Sequence, residues 1–189
     1  MKNIISFNCT KEIIIKKSKF ICLLFKLDNL DLVDEYINDI KKNYKGANHY
    51  CYAYVIGSME KCSDDGEPSG TAGMPMLNIL KKNNLVNILC VVVRYFGGIK
   101  LGAAGLIRAY GNSVNEALKE TKITEYITYT KLSITVSYEN IEKVKYILKE
   151  YNILEESYQE NINIIIEIPS SLTKDIINKL EPICKNVNY

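Results

Sequence analysis

Apolar and polar positions along the 189-residue chain change period several times, and each change predicts an element. KEIIIKKSKFICLLFKL (Lys11 to Leu27) reads as two β-rich runs. From Asn29 to Tyr44, Leu30, Val33, Ile37 and Ile40 recur at helical spacing behind an Asn or Asp cap. HYCYAYVIG (His49 to Gly57) alternates His49, Cys51, Ala53 and Val55 with Tyr50, Tyr52, Tyr54 and Ile56. Both faces of that strand are mostly apolar, which predicts a central place in a sheet.

The loop CSDDGEPSGTAG (Cys62 to Gly73) leads into MPMLNILKKNN, where Pro75 suits a first helical turn and Met76, Leu77 and Leu80 make an apolar stripe ending near Asn83. VNILCVVVRYF (Val86 to Phe96) is a continuous apolar run, the pattern of a strand covered on both faces. After the turn GGIKLG, a helix is predicted over Ala103 to Lys119 from Leu106, Tyr110, Val114, Ala117 and Leu118, with Gly105 and Gly111 weakening it. From Tyr126 the pattern restarts as strand, helix, strand, strand, helix. The βαββα order predicts a split βαβ, ferredoxin-like unit. The expected class is α+β, with one domain over 1–125 and a smaller one over 126–189.

Composition narrows the function. At 47% hydrophobic and 24% charged residues the chain is globular rather than disordered. No run reaches the roughly 18 apolar residues that span a bilayer, and the first residues lack the order of a signal peptide, so a cytoplasmic protein without membrane contact is expected. The six cysteines have no paired short spacing, which predicts reduced core residues rather than a zinc site or disulfides. A net charge of +2 excludes a strongly basic nucleic-acid wrapper, although 17 basic and 13 acidic groups in residues 1–125 leave a positive excess there.

The candidate chemistry lies where eight of the ten glycines fall, between Gly66 and Gly111. Arg94 ends the buried strand, Lys100 sits in the Gly-rich turn and Arg108 lies in the second turn of the next helix, a layout expected to converge on an anion. Gly97, Gly98 and Gly102 would let the backbone approach a phosphate at a helix start. GGIKLGAAG is neither a Walker A loop nor G-x-G-x-x-G. With 22 Lys and only two Arg, Arg94 and Arg108 stand out as planar two-pronged donors. Their partner can be Asp64, Asp65 or Glu67; the alternative is that these residues and glycines only build a tight turn. The acidic loop with Ser69 would order the basic side chains, or Asp65 and Glu67 would hold Mg²⁺, although no cofactor is expected; Asp64 reads best as a cap for backbone N–H groups. His49, the only histidine, reads as a structural residue, with Cys51 two positions along the same face. Tyr50, Tyr52 and Tyr95 offer stacking faces. No nucleophile and base pair is visible.

SDDGEPSGTAGMPMLNIL followed by VVVRYFGGIKLGAAGLIRAY resembles the signature of the IMPACT/YigZ family, and HYCYAYVIG and KKSKFIC resemble its N-terminal block. The likeness extends to the C-terminal unit. Departures are Ala104, where the family usually has glycine, and Tyr52, where Trp is common. The resemblance implies a first domain of the ribosomal-protein-like type, similar to elongation factor G domain IV, and a ferredoxin-like second domain. It implies a role in translation: eukaryotic relatives regulate it by competing for the activator of a general-control kinase, through an extra domain. For bacterial members it implies no reaction. RNA, the ribosome or a protein partner is then the expected target, and an enzyme acting on a phosphate-bearing small molecule, with Asp65 and Glu67 as metal ligands or acid and base, is the alternative.

Overall fold

The computed structural model describes residues 2–189, which divide into two compact units, one up to Tyr126 and the other Ile127–Tyr189.

In the first unit, β1 (Asn3–Ile5) is followed by β2 (Cys9–Ile15), β3 (Ser18–Lys26), α1 (Leu32–Asn43), β4 (His49–Ile56), β5 (Met59–Ser63), α2 (Gly73–Lys82), β6 (Ile88–Tyr95), α3 (Ala103–Leu118) and β7 (Ile123–Glu125). Five strands make one sheet in the order β2-β3-β6-β4-β5, every neighbouring pair antiparallel. β6 is therefore central, and β4 is an inner strand beside it. The short β1 and β7 pair with each other.

Both faces of the sheet are covered, which explains the unbroken apolar run of β6. Ile88, Cys90 and Val92 face a core completed by Met76 and Leu80 of α2 and Leu106, Tyr110 and Val114 of α3. Leu89, Val91 and Val93 face the other way, onto Val33, Ile37 and Ile40 of α1. Successive strand residues point to opposite faces, so a strand sandwiched between helix layers is apolar at every position even in an antiparallel sheet. The same alternation puts His49, Cys51 and Ala53 on the α2/α3 side, and Tyr50, Tyr52, Tyr54 and Tyr95 on the α1 side.

One boundary differs from that which the sequence predicts. The expected loop at Cys62 begins at Asp64, because Met59–Ser63 forms the edge strand β5. MEKCS carries no alternation for a strand signal, since its residues are exposed or half-buried.

The second unit runs β8 (Tyr129–Val136), α4 (Ile141–Leu148), β9 (Asn152–Tyr158), β10 (Ile162–Pro169), a 3-10 turn, α5 (Thr173–Leu180) and β11 (Asn186–Asn188). The sheet is antiparallel with order β11-β8-β10-β9. The predicted βαββα succession thus gains a final strand, paired to β8 through Val187 and Ile134. Leu132, Ile134 and Val136 lie beside Ile162, Ile164, Ile166 and Ile168 on one fully buried face, under Val144, Leu148, Ile176 and Leu180. Each such side chain contributes about 2 kcal/mol on burial, so this unit has a core of its own.

Candidate functional site

Three strands set the floor of the site. Phe20 of β3 and His49 of β4 flank Arg94 of β6 in register, all on the face that α2 and α3 cover. Arg94 is 5% exposed. Its guanidinium carbon lies 5.3 Å from the Phe20 ring centre and 5.6 Å from that of Phe96, a cation held between two aromatic faces.

Asp64 to Gly73 brings the carboxylate partner. Asp65 (φ +42) and Gly66 (φ +85) take consecutive left-handed conformations, and the Glu67 N–H donates to Asp64 O at 2.9 Å. Asp-Gly is the pair that favours such a two-residue reversal. It turns Glu67 inward, where Oε1 accepts from Arg94 Nη1 at 2.5 Å and from the Tyr110 hydroxyl at 2.8 Å. His49 Nε2 lies 3.9 Å from the same oxygen. His49 Nδ1–H donates to the Asp65 carbonyl at 2.9 Å, because a carbonyl only accepts; this fixes the ring with Nε2 toward Glu67. Cys51 Sγ donates to Asp64 O at 3.0 Å and contacts the Tyr110 hydroxyl at 3.3 Å. Burial pushes the Cys51 thiol up to about 12 and raises the Tyr110 phenol far above its usual range, so both stay protonated as donors.

The other acids of the loop serve the backbone. Asp64 Oδ1 accepts from the N–H groups of Ala72 and Gly73, and Oδ2 from that of Gly70. It caps α2, whose own N-cap residue, Ala72, has no side chain for the task. Burial pushes the Asp64 carboxyl up, but donation from Gly70, Gly73 and Ala72 outweighs it and holds the group below the ordinary carboxylate value. Asp65 Oδ2 accepts the Tyr50 N–H at 2.6 Å. The two carboxylates considered for Mg²⁺ thus already hold protein donors, and among the described residues no group of three His, Cys, Asp or Glu converges on a metal position. Ser69 is exposed.

Above this floor lies a cavity of about 460 Å³ lined by Asn48, His49, Glu67, Pro68, Arg94, Phe96 and Lys100, and by Leu101 to Ala103 and Leu106 at the start of α3. Arg94, Lys100 and Gly102 are therefore brought together, with His49 and Glu67. Arg108 is not. It lines a second concavity with Ile15, Lys16, Leu101, Gly105, Ala109, Gly111, Asn112 and Asn115. At 100° per residue Arg108 stands about 140° around the helix from Ala103. The predicted convergence of both arginines on one anion fails for that reason.

The glycines divide likewise. A Cβ on Gly97 would lie 2.1 Å from the Lys17 carbonyl, and the Gly97 N–H donates to Ser18 Oγ at 3.1 Å. Gly97 serves close packing on the β2–β3 turn. Gly98 (φ +83) and Gly102 (φ +70) need the left-handed conformation and have open space around them, and Gly102 lines the cavity. Tyr50, Tyr52 and Tyr95 lie on the opposite sheet face from Arg94 and offer it no stacking surface.

Sequence reasoning missed Tyr110, Phe20 and Phe96. Tyr110 was legible only as part of an apolar stripe, yet a fully buried tyrosine hydroxyl requires a partner, which is the signal that points to Glu67.

The Impact N-terminal domain model matches residues 16–118, and a domain of unknown function (DUF1949) matches residues 134–184. The chain is 47% identical to the IMPACT family member YvyE of Bacillus subtilis, over 80% of this chain and 72% of that protein. It is 33% identical to the IMPACT family member YigZ of Escherichia coli, over 88% and 85%. A crystal structure described as that of a hypothetical protein superposes with a TM-score of 0.67 at 31% identity, covering 96% of this chain and 93% of that one. The signature loops that build the cavity lie inside the matched first domain, and this chain belongs to the IMPACT family.

Proposed function

We propose that the chain is a translation-associated regulatory module of the cytoplasm that binds RNA, as part of the ribosome or free, through the surface around the start of α3. The observation that carries this reading is that two concavities meet at Leu101 and carry exposed Lys100 on one side and exposed Lys16 and Arg108 on the other. Neither concavity is lined by Asp, and the one Glu, Glu67, is paired with Arg94. A run of separated cations beside Asn112 and Asn115 suits successive phosphates along a strand. Arg94 lies deeper and holds the floor, Gly102 gives the backbone its approach, and Gly97, Gly98 and the loop with Asp64, Asp65, Glu67 and Ser69 shape the rim.

Family membership supports the translation role through the likeness set out from the sequence. The fold supports it too: we assign the first unit to the ribosomal-protein-like type similar to elongation factor G domain IV, and the second to the ferredoxin-like type. The βαββαβ succession and the order β11-β8-β10-β9 support the second assignment.

Co-sedimentation with ribosomes and with bulk RNA across a salt series tests the reading. The variant is Lys16→Ala/Lys100→Ala/Arg108→Ala, since these three side chains are exposed and their loss spares the core. Binding by the wild type should fall with salt, and each lost contact should reduce the log–log slope by about 0.7 for single-stranded RNA. No binding at low salt, or equal binding by the triple variant, would overturn it.

A further inference from the structure

The cavity beside α3 holds anion-binding groups that an exposed RNA-binding strip does not need. α3 starts from Gly102 with no side-chain cap and no acidic residue in its first turn. The amides of Ala103, Ala104 and Gly105 therefore have no intrahelical acceptor, and the Leu106 N–H is the first to bond, to Gly102 O at 2.9 Å. Independently, Arg94 spends Nη1 on Glu67 and leaves Nε buried without a partner. The side chain is 6% exposed and lines the same cavity as Gly102 and Ala103. Buried donors are nearly always paired. The Nε–Nη2 edge is the fork that fits carboxylate or phosphate. Both observations call for one acceptor group carrying negative charge.

We infer that this cavity binds a phosphomonoester attached to a flat or apolar group of about the size of a nucleoside. The head group would sit at the α3 start between Arg94 and Lys100, where helix amides and an arginine fork together offer more donors than a carboxylate has lone pairs to use. A volume of about 460 Å³ leaves room beyond a bare phosphate. Pro68, Phe96, Leu101 and Leu106 supply the apolar walls, and Phe96, 45% exposed, offers a ring face. Glu67 does not oppose the charge alone, because Arg94 and the Tyr110 hydroxyl hold its Oε1. Such a group comes either as a free mononucleotide or as the phosphorylated end of an RNA. The inference shares Arg94, Lys100 and Gly102 with the RNA reading and does not use Lys16 or Arg108.

Titration calorimetry of the full chain with AMP, inorganic phosphate, adenosine and a short oligoribonucleotide with or without a 5′ phosphate tests the site. AMP should bind about ten-fold or more tighter than adenosine. Ala103→Pro removes one amide at the helix position that best accepts proline, and Lys100→Gln removes one cation. Each should weaken AMP several-fold with the thermal midpoint retained, whereas Lys16→Ala/Arg108→Ala should bind AMP as the wild type does. A stronger response to the 5′-phosphorylated oligonucleotide than to AMP assigns the site to RNA ends; the reverse assigns it to free nucleotide. Absence of heat with every phosphate probe, or unchanged AMP affinity in both Ala103→Pro and Lys100→Gln, overturns the inference. RNA binding without AMP binding sinks this site alone, and AMP binding without RNA binding sinks only the RNA reading.

Discussion

Arg94 and Glu67 form a buried ion pair, 2.5 Å between Nη1 and Oε1 with side chains 6% and 3% exposed, that joins the central strand to the acidic loop. Their 27-residue separation in sequence makes this contact the clasp between the site's floor and its wall.

Removing one partner leaves the other charge buried and alone, which costs about 3–5 kcal/mol. Arg94→Ala should therefore lower unfolding stability by about 3 kcal/mol or more in urea titration, and Glu67→Gln by less, because the amide still accepts from Tyr110 and Arg94. Arg94→Lys should not restore the wild-type value, since an ammonium cannot lie flat between Phe20 and Phe96. Wild-type stability in Arg94→Ala would show that the pair contributes nothing net.

The elements of the first unit that carry long apolar patterns were legible, and so was the inner position of β4. What pattern reading lost was direction. Arg94, Lys100 and Arg108 sit close in sequence around one turn, but strand alternation aims Arg94 at the α3 side and helical rotation carries Arg108 into another concavity. The choice of Glu67 over Asp64 and Asp65 depends on the two left-handed residues at 65 and 66, a backbone fact that charge counting does not contain. Short β1, β7 and β11 were illegible because three residues hold no period.

Gly97 and Gly98 are adjacent but should respond differently to alanine. At Gly97 the new Cβ would strike backbone atoms of Lys17 and Ser18 that cannot swing away. At Gly98 the cost is only the left-handed conformation, about 1 kcal/mol. Thermal unfolding should rank Gly97→Ala well below Gly98→Ala, with Gly97→Ala losing about 3 kcal/mol or failing to fold. Equal midpoints would mean that the β2–β3 turn yields.

Asp64 gives the protein an acid-sensitive cap. Its folded-state carboxyl titrates below the usual 3.8, so the stability it contributes is fully present above that value and is lost as pH falls through the lower, folded-state one. Asp64→Asn keeps one acceptor for the three N–H groups. It should cost about 1–2 kcal/mol at pH 7. The gap between wild type and variant should narrow below about pH 4 as the wild-type carboxyl protonates. A gap independent of pH would assign the cap to shape rather than charge.

The thiols offer a reading of the core that needs no ligand. Cys22, Cys51 and Cys90 are fully buried, while Cys9, Cys62 and Cys184 are half-buried. Burial raises the Cys51 thiol to about 12 and that of Cys9 to about 11, so at pH 8 almost none of either is thiolate, the nucleophilic form. Iodoacetamide followed by peptide mass spectrometry should leave Cys22, Cys51 and Cys90 unmodified in the native protein and modify all six in urea. Tyr110→Phe sharpens the test. It keeps the ring edge-on to Phe20 at 5.3 Å but removes the hydroxyl shared by Glu67 and Cys51. If that hydroxyl helps hold the loop over the sheet, native Cys51 should become labelled through local opening in the variant while Cys22 of β3 and Cys90 of β6 stay protected. Equal protection of Cys51 in both proteins would place the closure of the loop on Arg94 and the Asp64 cap alone.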